Sequence, residues 1–497
     1  MTDGAPEPTG ASTGPRVLGN FLYLLLAQVI SAAAGVVSTA FLARKLGTDA
    51  YGILGFGTAI LSYFGLLVAL GTDVYGMREM AQDRRRIGWL VPRILGLRLT
   101  LLGVVSIAYV IVVARLGQPE EVRIVLVIQG LGLFVTAFTL DFVFQAIQRM
   151  GVIAIRQVMA AGLVLVAVVV LIHSARDIYI AAAIPPVALA LSAAWLASRL
   201  RREAISFAIE FDPATWRLML RAAIPIAVAQ LMNSLFFNID IVMLGFMASS
   251  HQLGLYVAMS RLLQIAIVFG GLIVGALAPV LAAAWPQEAQ MRARYRDFVA
   301  AAMLFGAPIA ALGIAYPVEI IRVVFGDGFV GAAPVLQLHM ATAAIAYAGL
   351  AAGTALVAWH DQTAHMVVQG VGGISNVLFN LVLIPRYGIQ GAAVATLMSQ
   401  ILIFLGLGGR ALVRFRMVAL VPALRLVAVA GVAFAAIRLA DAALGHPPVP
   451  GPAVVGFLVR AAAGGALYVA LAWLVGGAQL RRPVEFLFAR FRARPPG

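Results

Sequence analysis

Long apolar runs, each near twenty residues, alternate along the chain with short polar segments. About 20 helical residues at 1.5 Å rise cross the hydrocarbon core of a bilayer, so each run predicts one transmembrane helix. The runs lack period-two alternation and are about twice as long as a barrel strand, which excludes a transmembrane β-barrel. The predicted spans are 20–42, 51–72, 94–115, 122–146, 152–173, 178–198, 220–247, 253–283, 298–325, 330–359, 363–384, 389–413, 420–441 and 453–477.

The first run follows a tail rich in Gly, Pro, Thr and Ala, residues 1–19, which we predict to be disordered. Arg16 and the small residues Ser31–Ala34 resemble parts of a signal peptide. However, the run from Phe21 to Leu42 exceeds the roughly 7–15 apolar residues of a signal peptide. We therefore interpret it as an uncleaved first span.

Basic residues predict the orientation of the spans. Of the 36 Lys and Arg residues, 26 lie in or beside the loops on the side of the N-terminus, and eight lie on the other side. Basic residues stay on the cytoplasmic side, which predicts both termini inside, in a bacterial inner membrane. The clusters that decide this are Arg84–Arg86, Arg199/Arg201/Arg202, Arg292/Arg294/Arg296, Arg414/Arg416 and Arg481/Arg482.

The longest polar interruption, Arg199 to Trp216, divides the spans into two groups of six and a final pair. Each group begins on the same side, so the two groups are predicted to be parallel repeats. The expected fold is an all-α polytopic membrane protein whose two six-helix lobes surround a central cavity. The predicted divisions are the tail 1–19, an N-terminal lobe 20–211, a C-terminal lobe 212–415, an additional helix pair 416–480 and a basic cytoplasmic tail 481–497.

The composition agrees with this class: 62% of residues are apolar, 11% are charged and the mean hydropathy is +0.98. The net charge of +15 is explained by topology, with some contact to membrane lipids, so we expect no nucleic-acid partner. The absence of cysteine excludes disulfides and thiolate sites. The six histidines show no metal-ligand spacing, and we expect no metal centre and no cofactor beyond a coupling Na⁺ or H⁺.

Four motifs carry a resemblance to a known family: the segment from Leu42 to Gly52, Asp240–Gly245, Leu253–Tyr256, and Asn376–Ala393 with its Ile-Pro-Arg-Tyr-Gly-Ile-Gln-Gly-Ala-Ala run. In order and spacing they resemble the O-antigen and capsular polysaccharide flippases. These are a branch of the multidrug/oligosaccharidyl-lipid/polysaccharide exporter superfamily. The resemblance implies that undecaprenyl-diphosphate-linked oligosaccharides cross from the cytoplasmic to the periplasmic leaflet by alternating access. A polysaccharide polymerase is a further expected partner.

Polar side chains recur on single faces of three spans, and polar residues within hydrocarbon tend to face a cavity. The eleventh span has such residues at spacings of 4, 7 and 4, which is one helical face. The alternative is that these amides hydrogen-bond neighbouring helices. The predicted substrate-binding residues are Gln230, Asn233 and Asn238 on the seventh span, Arg261 and Gln264 on the eighth, and Gln369, Asn376 and Asn380 on the eleventh, where His365 shares the face.

Arg261 lies about eight residues into its span, which is deep for a guanidinium that must reach water. One interpretation is a pyrophosphate anchor, because the planar guanidinium binds two phosphate oxygens at once. The other is a structural ion pair with Asp240 or Asp141. Asp73, Asp141 and Asp240 are the candidates for coupling to Na⁺ or H⁺, although Asp240 is near enough to its span end to be an interfacial residue.

Three other functions compete with the flippase. A peptidoglycan-precursor flippase shares the superfamily and the fourteen spans. A multidrug extruder of the superfamily usually has twelve spans and an acidic cavity. A membrane-embedded glycosyltransferase or O-antigen polymerase needs a large periplasmic loop. The longest predicted outer loop, Gly445 to Pro452, is short and Pro-rich, so we expect a transporter and no catalytic residues.

The basic-residue asymmetry makes the topology testable. Reporter fusions after Gly117, Ser250 and Gly445 should report the periplasm, and fusions after Arg86, Arg202 and Arg296 the cytoplasm. Enzymatic reporters active on only one side of the membrane measure this directly. A cytoplasmic signal at Ser250 would contradict the two-lobe arrangement.

Overall fold

A computed structural model describes residues 13–203, 205, 208–417, 420–443 and 453–492. Within these ranges the secondary structure is α-helix and short 3-10 helix joined by turns, with no β-strand. The α-helices are α1 Thr13–Ala69, α2 Thr72–Gln82, α3 Ile87–Arg115, α4 Glu120–Gly130, α5 Gly132–Ala137, α6 Asp141–Ala146, α7 Met150–Leu171, α8 Ile178–Arg202, α9 Pro213–Met247, α10 Ser250–Ala282, α11 Glu288–Ala315, α12 Pro317–Val324, α13 Ala333–Ala358, α14 Gln362–Phe415, α15 Leu420–Ala443 and α16 Ala453–Arg492.

Two of these helices are too long for a single crossing of the membrane. α1 has 57 residues and α14 has 54, or roughly 80–85 Å against a hydrocarbon core of about 30 Å. Each is broken at one glycine: Gly47 (φ 77°, ψ 179°) and Gly388 (φ 55°, ψ −132°). Glycine adopts positive φ at no steric cost. Twelve helical segments among the described residues are long and apolar enough to cross a membrane. With α1 and α14 each crossing twice, they correspond to the fourteen predicted spans.

Some predicted boundaries differ from the observed ones. The window 122–146 is three helices, α4 to α6, and the window 298–325 is broken at Tyr316 before Pro317. α1 begins at Thr13, within the predicted tail, and α16 continues to Arg492, within the predicted C-terminal tail. Hydropathy locates apolar stretches but does not report where a helix breaks or how far it extends into water. Residues 1–12 and 493–497 lie outside the described residues.

We call α1–α8 the N-terminal lobe and α9–α14 the C-terminal lobe. Buried apolar side chains form three clusters. Each cluster lies toward one end of the spans, so the clusters distinguish the two ends of the molecule along the membrane normal. The first cluster, which we call the shared core, contains side chains of both lobes. Examples are Leu46 and Val125 of the N-terminal lobe and Leu244 and Leu336 of the C-terminal lobe. The other two lie at the opposite ends of the same spans. One lies in the N-terminal lobe and includes Met219 of α9, and the other joins the C-terminal lobe to α15 and α16. The lobes thus share a core at one end, which we call the closed end, and at the other end α9 packs against the N-terminal lobe.

At the closed end the backbones of the two lobes touch. Gly254 on α10 lies so near the Thr48 carbonyl that a Cβ atom would overlap it. The Thr48 hydroxyl lies 2.7 Å from His251 Nδ1. The Arg44 guanidinium donates hydrogen bonds to the carbonyls of residues 322–324, where α12 ends. By the predicted topology this end faces the periplasm.

Helix α9 links the lobes along its whole length. Its N-cap Asp212 accepts from the Thr215 backbone N–H at 3.1 Å and is bonded to Arg93 on α3 at 3.0 Å. Hydrogen bonds from Thr215, and then from Arg93, lower the pKa of Asp212 to about 2. This carboxylate therefore stays ionised at neutral pH. Further along, Tyr63 on α1 donates to the Ser234 carbonyl at 3.3 Å.

Candidate functional site

The lobes enclose a cavity of about 680 Å³ between α1, α4, α7, α8 and α10, which we call the interlobe cavity. Its wall is mostly aliphatic, with hydroxyl and amide groups set into it. The polar side chains on it are Gln28, Ser31, Ser38, Thr39, Tyr51, Thr58, Gln129, Gln264 and Arg261. Arg261 is the one charged residue among those that line the cavity, and no carboxylate is among them.

Arg261 is half-buried on α10. Its Nη1 donates to Gln264 Oε1 at 3.0 Å, one turn further along the helix. The Tyr51 hydroxyl also faces the guanidinium. Among the described residues, no carboxylate oxygen lies within 4 Å of Arg261. The predicted pairing with Asp240 or Asp141 is therefore not present, since both carboxylates have other partners.

Asp240 lies in a second, fully packed site in the C-terminal lobe. Its side chain is 3% exposed. It accepts hydrogen bonds from Tyr256 Oη on α10 and Thr396 Oγ1 on α14, both at 2.6 Å, and from Asn380 Nδ2. Asn380 Nδ2 also donates to Asn376 Oδ1 at 3.1 Å. Asp240 is thus a buried residue of a polar cluster.

Two atoms of this cluster have no hydrogen-bond partner among the described residues. They are Asn376 Nδ2 and Asn380 Oδ1, on residues that are 0% exposed. Buried amides are normally satisfied, and an orphaned atom commonly marks a bound water or ion. Asn380 Oδ1 and the Asp240 carboxylate are oxygen donors of the type that hard cations prefer.

A third site is a cavity of about 570 Å³ inside the C-terminal lobe, between α9, α10, α13 and both halves of α14. We call it the C-lobe cavity. Its wall is largely apolar, with five polar side chains: Asn233, Thr354, His365, Gln369 and Gln400. Two predicted substrate-binding residues, Asn233 and Gln369, lie here and do not line the interlobe cavity.

The structure thus distributes the predicted binding residues over three places. Arg261 and Gln264 line the interlobe cavity, Asn233 and Gln369 the C-lobe cavity, and Asn376 and Asn380 bond within the Asp240 cluster. Gln230 lines neither of the two cavities, and Asn238 donates to Ser234 Oγ at 3.3 Å. The interlobe residues Gln28, Thr39, Thr58 and Gln129 were not predicted, although the polar positions of the first span recur at helical spacing.

Asp73 and Asp141 have arginine partners. Arg98, 1% exposed, pairs with Asp73 and donates to Thr72 Oγ1 at 2.8 Å and the Thr139 carbonyl at 2.9 Å. The Thr139 carbonyl lies in the break between α5 and α6. Arg156 Nε lies 2.6 Å from Asp141 Oδ1. These pairs favour a structural role for the two carboxylates. Among the described residues, no group of three His, Asp or Glu side chains is placed to hold a metal.

Comparison with known proteins identifies one family. Residues 17–285, more than half of the chain, match the family described as polysaccharide biosynthesis protein. No curated protein sequence matches the chain.

Several solved structures share the fold. The lipid II flippase MurJ in an inward closed conformation superposes with a TM-score of 0.72 at 15% identity, covering 92% of this chain and 99% of that one. An inward-facing MATE-family multidrug resistance transporter of the MOP superfamily gives 0.62 at 13%, covering 79% and 98%. A MOP superfamily transporter from Pyrococcus furiosus gives 0.51 at 13%, covering 81% and 96%.

The pairing of Asp141 with Arg156 predicts a loss of stability when one partner is removed. Asp141→Asn leaves a guanidinium without its carboxylate, so the free energy of unfolding should fall by about 1–3 kcal/mol. Arg156→Gln in the same chain should restore it. Melting temperature and membrane abundance measure both effects, with the exposed Asp49→Asn as the matched control. Normal stability of Asp141→Asn, with lost dependence of transport on an ion gradient, would instead make Asp141 a coupling residue.

Proposed function

Because the chain belongs to the polysaccharide biosynthesis protein family, we propose that it is a flippase for undecaprenyl-diphosphate-linked oligosaccharide repeat units. It moves them from the cytoplasmic to the periplasmic leaflet of a bacterial inner membrane. The proposal depends on one observation. Arg261 lines the cavity between the lobes and has no carboxylate partner among the described residues.

A guanidinium in an aliphatic cavity is costly unless an anion or water compensates it. The carboxylates that might neutralise Arg261 from within the protein are bonded elsewhere. A diphosphate supplies two groups of oxygens for the planar guanidinium. Gln264 and Tyr51, which flank Arg261, add an amide and a hydroxyl for hydrogen bonding.

The remaining wall fits an amphiphile. Hydroxyl and amide groups such as Thr39, Thr58 and Gln28 suit sugar hydroxyls, whereas Val36, Leu54 and Ile265 suit the first isoprene units of the carrier. The cavity volume of about 680 Å³ is within the range of about 300–1,000 Å³ that holds a drug-sized ligand. It holds the diphosphate and a few sugars, and the lipid chain stays in the bilayer.

The lobe arrangement supports alternating access. One core is shared by both lobes at the closed end, and two separate cores lie at the opposite end, where Met219 of α9 packs into that of the N-terminal lobe. Separating the lobes at one end while joining them at the other exposes the interlobe cavity to alternate sides. With both termini in the cytoplasm, as proposed from the basic residues, the present state is closed toward the periplasm.

Asp240 is the proposed coupling residue. A small monovalent cation, Na⁺ or H⁺, binds at the carboxylate on α9, which is surrounded by hydroxyl and amide groups on α10 and α14. All three helices line the C-lobe cavity, and α10 also lines the interlobe cavity. Cation binding at Asp240 is thus linked to the packing of α10, which carries Arg261.

The closest alternative is a flippase for a peptidoglycan lipid precursor, which shares the diphosphate and the MurJ fold and differs only in the glycan. A multidrug extruder for cationic compounds is disfavoured because the interlobe cavity presents Arg261 and no carboxylate among its lining residues. A polysaccharide polymerase remains a proposed partner that receives the flipped product.

The proposed anchor predicts distinct effects of substitutions at Arg261. Arg261→Ala should weaken binding of undecaprenyl diphosphate about 10- to 100-fold, because it removes charge-assisted hydrogen bonds. Arg261→Lys should bind undecaprenyl diphosphate almost as weakly as Arg261→Ala, because lysine keeps the charge but loses the two-pronged hydrogen-bonding geometry. Membrane abundance should stay normal in both.

Binding to purified protein and export of lipid-linked glycan measure these effects. Arg115→Ala, which removes an exposed arginine at the end of α3, is the matched control. Unchanged binding in Arg261→Ala would refute the anchor, and equal loss of abundance and export would make Arg261 structural.

Asp240→Asn tests the coupling. It keeps the shape of the side chain and removes its charge, so export should fall and lose its dependence on the Na⁺ or H⁺ gradient. Proteoliposomes with imposed gradients measure this. Glu121→Gln, which removes the charge of an exposed carboxylate at the start of α4, should behave as wild type. Normal gradient dependence in Asp240→Asn would place the ion site elsewhere.

A further inference from the structure

The C-lobe cavity leads from the end of the lobe opposite the closed end toward the Asp240 cluster. At its outer part are Val357, near the end of α13, and His365, near the start of α14. At its inner part is Gln400, one helical turn from Thr396, or about 5–6 Å along α14. Thr396 in turn donates to Asp240. The cavity therefore ends one turn short of the carboxylate.

Polar side chains mark this route on both halves of α14. His365 and Gln369 line the cavity on the first half, and Asn376 and Asn380 continue the same face to Asp240. On the second half of α14, Gln400 lines the cavity and lies one helical turn from Thr396 of the Asp240 cluster. Gly373 lies close to the Met232 carbonyl, so α9 and α14 approach each other there and the open side of the route is at Gln400.

Several amide groups along the route have no hydrogen-bond partner among the described residues. Gln400 is 8% exposed, and neither it nor Gln369 has a hydrogen-bond partner among the described residues. The next groups inward, Asn376 Nδ2 and Asn380 Oδ1, are also unpartnered. Buried amide atoms such as Asn376 Nδ2 and Asn380 Oδ1 are costly to leave unpaired unless water or an ion satisfies them.

We propose that the C-lobe cavity is the aqueous path by which the coupling cation passes between Asp240 and the cytoplasm. The cation and the glycolipid then use separate cavities, and α10 is the helix that lines both of them. This inference rests on the proposed function, because it takes Asp240 as the coupling site. Gln400 is the residue that passes the cation or its water to Thr396 and Asp240.

The chain contains no cysteine, so single cysteines can be introduced without removing native ones. Gln400→Cys should react with a cationic methanethiosulfonate added from the cytoplasmic side at least an order of magnitude faster than Ser399→Cys. Ser399 is the matched control, because it neighbours Gln400 but is fully buried, with its hydroxyl bonded to the Ala395 carbonyl. Sodium chloride in place of choline chloride should slow the reaction at Gln400→Cys if the cation is Na⁺.

In the same assay, the reaction rate of Gln264→Cys measures the accessibility of the interlobe cavity. Undecaprenyl diphosphate should protect Gln264→Cys and leave the rate at Gln400→Cys unchanged. If undecaprenyl diphosphate protects neither cysteine, the proposed function fails. If it protects Gln264→Cys but Gln400→Cys reacts no faster than Ser399→Cys, or is protected equally, the separate ion path is overturned.

A plug tests whether the path carries the coupling ion. Gly349 lines the C-lobe cavity, and a Cβ there would meet nothing nearer than Phe404 at 3.7 Å. Gly349→Leu should therefore fill the cavity, slow gradient-driven export severalfold and leave binding of undecaprenyl diphosphate unchanged. Gly409→Leu, on an exposed face of α14 with no atom near the added Cβ, is the control. Equal export rates in the two variants would contradict the proposal.

Discussion

A charge placed within hydrocarbon needs a partner, and this constraint sorts the arginines of the chain. Arg98 has Asp73, a hydroxyl and a backbone carbonyl around it, and Arg156 has Asp141. Arg460 is paired with Asp441 on the neighbouring helix. Desolvation of an ion is repaid only when its hydrogen-bonding groups are satisfied. Arg261 departs from this pattern, with an amide as its hydrogen-bond partner and a cavity in front of it.

The same constraint explains the broken helices of the N-terminal lobe. A continuous helix over 120–146 would consume every backbone carbonyl in its own hydrogen bonds. The break after α5 leaves the Thr139 carbonyl free to accept from Arg98. Irregular backbone within a membrane is tolerated where protein surrounds it, and here its carbonyl completes the surroundings of a buried cation.

Periodicity in the sequence predicted which residues share a helix face but not which surface that face meets. The spacing of His365, Gln369, Asn376 and Asn380 correctly defines one polar face of α14. That face meets the C-lobe cavity and then Asp240, and does not line the interlobe cavity where the amides were expected. The partners of Asp141 and Asp240 depend on contacts between distant segments, which single-sequence patterns do not contain. The spans were predictable because hydropathy is a local property.

Besides the shared apolar core, the closed end has hydrogen bonds that water can replace. Arg44 donates to carbonyls at the end of α12, and these atoms are exposed. The contact between Gly254 and Thr48 is a close approach of backbones without an interlocking side chain. Exposed hydrogen bonds of this kind contribute only about 0.5–1.5 kcal/mol each. Exchanging these hydrogen bonds for bonds to water therefore changes the free energy by only a few kcal/mol, which is within the range that differential ligand binding supplies.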